Sequence, residues 1–73
     1  MKIEWKEDKG KQGRKVIDIK IAVGDDVPKG RFILYPVNEK INMWCLYDVE
    51  KKVQWYIMKE AAEERIEKAL KGK

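Results

Sequence analysis

Residues 31–58 read RFILYPVNEKINMWCLYDVEKKVQWYIM. Three apolar runs lie within them, alternating by twos and divided by two polar breaks, which is the spacing of strands joined by short turns. The breaks are Asn38 with Glu39 and Lys40, and Asp48 through Lys52. This stretch predicts a three-stranded antiparallel meander. One face is expected to carry Ile33, Tyr35 and Val37, then Ile41, Met43, Cys45, Tyr47 and Val49, then Val53, Trp55 and Ile57. The other is expected to carry Phe32 and Leu34, then Trp44 and Leu46, then Tyr56 and Met58. A sheet apolar on both sides needs covering on both sides.

The flanking segments supply two covers. Upstream, Ile3 and Trp5 alternate with Lys2, Glu4 and Lys6, and Ile17, Ile19, Ile21 and Val23 alternate with Asp18 and Lys20. These segments predict an antiparallel hairpin over about residues 2–23 with one wet face. Between them Lys9, Gly10, Lys11, Gln12, Gly13, Arg14 and Lys15 form a glycine-spaced basic loop containing no acid. Turn formers concentrate again from Gly24 to Gly30, where the chain must change direction. Downstream, Ala62, Ile66, Ala69 and Leu70 fall on one stripe of a helix over about residues 59–71. Glu60 and Glu63 near its start and Lys68 and Lys71 near its end suit the helix dipole, but no N-cap side chain precedes it. The expected fold class is α+β: a small antiparallel sheet or partly open five-stranded barrel, hairpin plus meander, with one C-terminal helix. Residues 1–73 are expected to form one small domain. The helix stripe is half alanine, so some aromatic sheet surface is expected to stay uncovered.

Composition narrows the function classes. The chain has no serine, threonine or histidine and a single cysteine, so it lacks nearly every side chain used as a nucleophile or neutral-pH proton carrier. We therefore expect no catalytic residue and no enzyme activity. Cys45 has no partner for a disulfide and no histidine to activate it, and it reads as a core thiol. Asp25 and Asp26 are adjacent in a turn with no third acid beside them, so neither a metal nor another cofactor is expected. Gly10 and Gly13 lack the lysine-serine or lysine-threonine pair of a phosphate-binding loop. No apolar run approaches the length of a membrane span, and the charged N-terminus does not read as a signal peptide, so a soluble, cytoplasmic protein without membrane contact is expected. The 41% charged content, rich in lysine and glutamate, resembles thermophile composition.

The formal charge is +4, and residues 1–31 hold nine basic against six acidic side chains. That excess suits a nucleic-acid partner, DNA or RNA. In this reading Lys9, Lys11, Arg14 and Lys15 contact phosphates, Arg31 assists, and Trp44 and Tyr56 stack on or wedge between bases. Four phosphate contacts would give a slope of log affinity on log salt of about −3.6 on duplex DNA. The same basic segment also suits a solvated hairpin tip. The alternative is a protein-interaction module, such as a small viral or mobile-element regulator, using the aromatic face against a protein or against its own copy as a homodimer. In element order and lysine-rich composition the whole chain resembles the small archaeal seven-kilodalton chromatin proteins. That resemblance implies duplex DNA binding across the three-stranded sheet; it carries no motif, and Asp48 to Lys52 has no glycine where those proteins have a glycine-rich turn.

Overall fold

A computed structural model describes residues 2–71. Strands β1 (Glu4–Gln12), β2 (Lys15–Val23), β3 (Phe32–Asn38), β4 (Met43–Asp48) and β5 (Val53–Met58) are followed by one helix, α1 (Ala62–Lys71). All neighbouring strands are antiparallel and the sheet order is β1-β2-β3-β4-β5. The architecture is therefore α+β, and of the two expected forms it is the open sheet. Among the described residues no helix is long and apolar enough to cross a membrane.

The hairpin's strands run further into its tip than composition suggests. β1 and β2 pair from Glu4 with Val23 to Gln12 with Lys15, leaving only Gly13 and Arg14 as the turn. Gly13 has φ +65° while Arg14 is not in the left-handed region, the pattern of a type II′ turn that matches strand twist. The expected seven-residue basic loop is thus mostly strand. A charged hairpin can be this long because each cation faces a cross-strand partner or water: Lys9 is paired with Asp18, and Lys20 lies 3.8 Å from Glu7.

β2 leaves the meander early. Its ladder with β3 consists of Lys20 with Leu34 and Ile21 with Ile33. Pro36 has no N–H to donate, and the ladder stops two residues before it; the β3–β4 register also shifts between Pro36 and Asn38. The distal half of the hairpin, with its basic tip, consequently stands away from β3.

The core lies between one face of the sheet and α1. Ile3, Ala22, Val27, Phe32, Leu34, Trp44, Leu46, Ala62 and Ile66 form it, with Trp5, Trp55, Ile57, Ala69 and Leu70 packed at its margin. A ten-residue helix is marginal alone, so burial of Ile66 and Ala62 is what keeps α1 folded. No side chain caps its start, and a 3-10 turn over Lys59–Ala61 leads into it.

The β4–β5 turn decides which side chains share that core. Asp48 pairs with Val53, so four residues rather than five form the loop, and Lys52 adopts φ +58° to close it. That single residue reverses the parity of β5. Trp55 and Ile57 lie opposite Leu46 and Trp44 on the helix side, while Tyr56 and Met58 lie opposite Cys45 and Met43 on the other side. The face assignments expected for β5 are therefore exchanged.

Gly24 closes the far end of the core. A Cβ there would sit 2.8 Å from the carbonyl oxygen of Lys2, a backbone atom that cannot swing aside. Gly24→Ala should destabilise by about 1–3 kcal/mol, read as a lowered urea midpoint at unchanged slope. An unchanged midpoint would mean that the N-terminal segment is not held against this turn.

Candidate nucleic-acid interface

The turn parity sorts the aromatic residues by type. Trp5, Trp44 and Trp55 all pack on the helix side. Tyr35, Tyr47 and Tyr56 all stand on the opposite side, which no helix covers. The chemistry is consistent with the sorting, because a phenol keeps its hydroxyl in water while its ring covers apolar neighbours.

Tyr35, Cys45 and Tyr56 are directly opposite one another across β3, β4 and β5. Strand spacing puts the two tyrosine backbones about 10 Å apart, with Tyr47 about 7 Å further along β4. Ile33, Met43, Gln54 and Met58 complete this face of the meander, which contains no charged side chain. Tyr56 and Met58 are each 59% exposed, while Cys45 beneath the tyrosines is fully buried. Hydrogen bonding with Cys45, followed by burial, pushes the Tyr35 phenol up to about 12, so it stays protonated.

The hairpin places its basic tip beside this face. Lys11 and Gln12 from β1 join Gly10, Ile17, Ile19, Ile33, Tyr35 and Tyr47 around a cleft of about 290 Å³. Lys11, Arg14 and Lys15 are exposed and make no ion pair with any described residue. Lys9 is different, since its hydrogen bond to Asp18 raises its own pKa and lowers that of Asp18, holding both charges in a pair on the helix-side face.

Two expected site residues are engaged elsewhere. Trp44 is 8% exposed on the helix side; its indole N–H donates to Asn42 Oδ1 at 3.1 Å and the Lys59 ammonium lies 5.2 Å from its ring. It shares no face with Tyr56. Arg31 donates from Nε and Nη2 to the two carboxylate oxygens of Asp48, each at 3.0 Å, and its side chain is 11% exposed. Both leave the candidate set, and Lys9 becomes secondary. Tyr56, Lys11, Arg14 and Lys15 remain, and Tyr35 and Tyr47 join them. The signal that would have found these two is the Asp48 turn, since an aspartate that caps a four-residue loop puts Tyr47 and Tyr56 on one face.

The chain matches no family model, no curated protein and no solved structure. The likeness to the archaeal chromatin proteins therefore rests on element order and composition. Among the described residues no cluster of three acid, histidine or cysteine side chains is placed to hold a metal ion, and Asp25 and Asp26 are exposed in their turn.

Proposed function

We propose that this chain is a non-enzymatic nucleic-acid-binding module: unpaired bases stack on the tyrosine face, and Lys11, Arg14 and Lys15 hold the neighbouring phosphates. The observation that carries this reading is the adjacency of an uncovered, uncharged face bearing all three tyrosines to a hairpin tip whose cations have no acid partner among the described residues. Aromatic rings accept any base by its π face, and lysines and arginine supply the sequence-independent part of the affinity.

A labelled single-stranded oligonucleotide followed by anisotropy tests it. Tryptophan emission is a poor reporter, because the three indoles lie on the helix side. Three phosphate contacts predict a salt slope of about −2.1 on single strands, or about a 20-fold loss of affinity between roughly 50 and 200 mM salt. Tyr56→Ala should weaken binding by about 1–3 kcal/mol with the fold intact. Affinity indifferent to both salt and Tyr56 would sink the reading.

A second reading has one observation in its favour. β5 is an edge strand with no charge between Val53 and Met58, whereas the opposite edge, β1, is guarded by Glu4, Lys6, Glu7, Asp8, Lys9 and Lys11. An uncharged edge invites pairing with another chain, here a protein or a second copy. Light scattering across a concentration series separates this reading: a dimer that does not bind oligonucleotide favours it.

A further inference from the structure

The gap that opens where β2 leaves β3 is a site in its own right. It starts at the last β2–β3 pairs, to one of which Ile33 belongs, and its apolar walls are Ile17 and Ile19 on the hairpin side and Ile33, Tyr35 and Tyr47 on the meander side. Its rim carries Gln12 and, directly opposite it on β2, Lys15; Lys11 reaches the cleft with its backbone, because its side chain shares the helix-side face with Lys9. At about 290 Å³ it sits at the lower limit of small-ligand pockets, about 300 Å³, and has room for a heterocycle.

Gly10 is the second observation. It occupies the middle of β1, where glycine weakens a strand, and its φ is not positive, so no turn or left-handed conformation requires it. Its contribution is space: a Cβ at this position would meet Ile19 Cγ2 at 3.2 Å and Cδ1 at 3.3 Å. A larger side chain would press on Ile19 and itself project on the face that carries Ile17 and Ile19, narrowing the cleft. Glycine at position 10 lets Ile19 lie back against the hairpin and keeps the gap open.

We infer that this cleft receives a single unpaired nucleobase from the bound strand, held between the Ile17/Ile19 wall and the Tyr35/Tyr47 wall, with Lys15 on its phosphate and Gln12 at its edge. The inference rests on the nucleic-acid reading above and adds to it a defined seat for one base, beyond stacking on the open face. The occupant follows from the chemistry of the walls and mouth together. Aliphatic and phenolic walls select a flat, weakly polar group; an amide at the rim offers one donor and one acceptor direction; an unpaired lysine requires an anion attached to that group. A nucleotide unit carries all three features.

The test uses the intact chain and two single-stranded oligomers of equal length, one of deoxyadenosine and one abasic, which present the same phosphates. Side-chain methyl NMR of Ile17, Ile19 and Ile33 should show ring-current shifts with the base-bearing oligomer and none with the abasic one. Gly10→Val should weaken binding of the base-bearing oligomer by about tenfold and leave abasic binding unchanged. If the oligomer binds and Tyr56→Ala weakens it while those methyls stay still, the base seat is wrong and the stacking face stands. If neither oligomer binds, both fall. Should Gly10→Val fail to fold, the methyl shifts of the unmodified protein decide alone.

Discussion

Asp48→Ala is expected to remove about 3–5 kcal/mol of stability, the cost of leaving one member of a buried ion pair without its partner. Asp48 is 1% exposed, and its two oxygens accept from Arg31 Nε and Nη2 at 3.0 Å each. Oδ1 also accepts from the backbone N–H groups of Glu50 and Lys51 at 3.1 and 3.2 Å, and the Asp48 carbonyl accepts from Lys52 N at 2.8 Å. One side chain thus ties the start of β3 to the end of β4 and shapes the turn that sets the parity of β5. Removing it strands the Arg31 guanidinium, 11% exposed and left with Glu50 at 3.8 Å and the Phe32 ring at 4.9 Å. A chain of this length has about 4–11 kcal/mol in total, so the loss takes from about a quarter to all of it. Urea unfolding followed by circular dichroism measures the effect; a midpoint equal to that of the unmodified protein would show that the pair contributes nothing. Asp48→Asn retains acceptors for the turn and should fall between the two.

The same carboxylate governs the acid limb. Burial pushes the Asp48 pKa up, but the hydrogen bond from Arg31, those from Lys51 and Glu50 and the Arg31 charge outweigh burial and hold it below its ordinary value. A group depressed in the folded state contributes stability that is present above its unfolded pKa, about 3.9, and is lost as pH falls through the folded value. Loss of stability on acidification should therefore set in below about pH 4 in the unmodified protein, and Asp48→Ala should remove that component.

How much of this was legible in the residues depends on what each pattern can encode. Period-two alternation from Ile17 to Val23 marks a strand with one wet face, the short apolar run from Phe32 to Tyr35 marks one buried on both faces, and the Ala62, Ile66, Ala69 and Leu70 stripe marks the helix, because side-chain direction is fixed by backbone geometry. Alternation gives each strand two faces; it does not say which face of one strand adjoins which face of the next. That relation is set in the turns. Reading Asp48 as loop makes five connecting residues and keeps parity, while reading it as the last residue of β4 makes four and reverses it. Turn parity alone accounts for Trp44 and Tyr56 sharing an expected face; the expected exposure of Trp44 comes instead from the half-alanine helix stripe, which nevertheless covers it to 8%. Arg31 was misread for another reason: its carboxylate partner lies 17 positions away in sequence, and no local pattern carries that distance. The Lys9 pairing with Asp18 was hidden in the same way by the length of the hairpin, which the glycines at 10 and 13 made look like a loop.

Reversing the charge of the hairpin tip, with Lys11→Glu, Arg14→Glu and Lys15→Glu together, should weaken oligonucleotide binding by about 100-fold or more. Three charge-assisted contacts at roughly 1 kcal/mol each account for that factor before any repulsion from the new acids. The fold should be indifferent, because all three side chains are exposed and none has an ion-pair partner among the described residues. The triple variant takes the formal net charge from +4 to −2, six units lower, so net charge needs its own control. Lys68→Glu supplies it from α1, on the far side of the sheet from the tyrosines, and should change binding little beyond a Debye length of about 8–10 Å. Lys9→Gln supplies another, since the Lys9 charge is already committed to Asp18. Binding that falls with the triple variant and survives both controls places the contact at the tip. Binding that survives the triple variant yet vanishes in Tyr56→Ala would put the strand on the tyrosine face without a phosphate contact from the tip, whereas no oligonucleotide binding at all would leave that face to a protein partner, with the uncharged β5 edge beside it as the place to look for one.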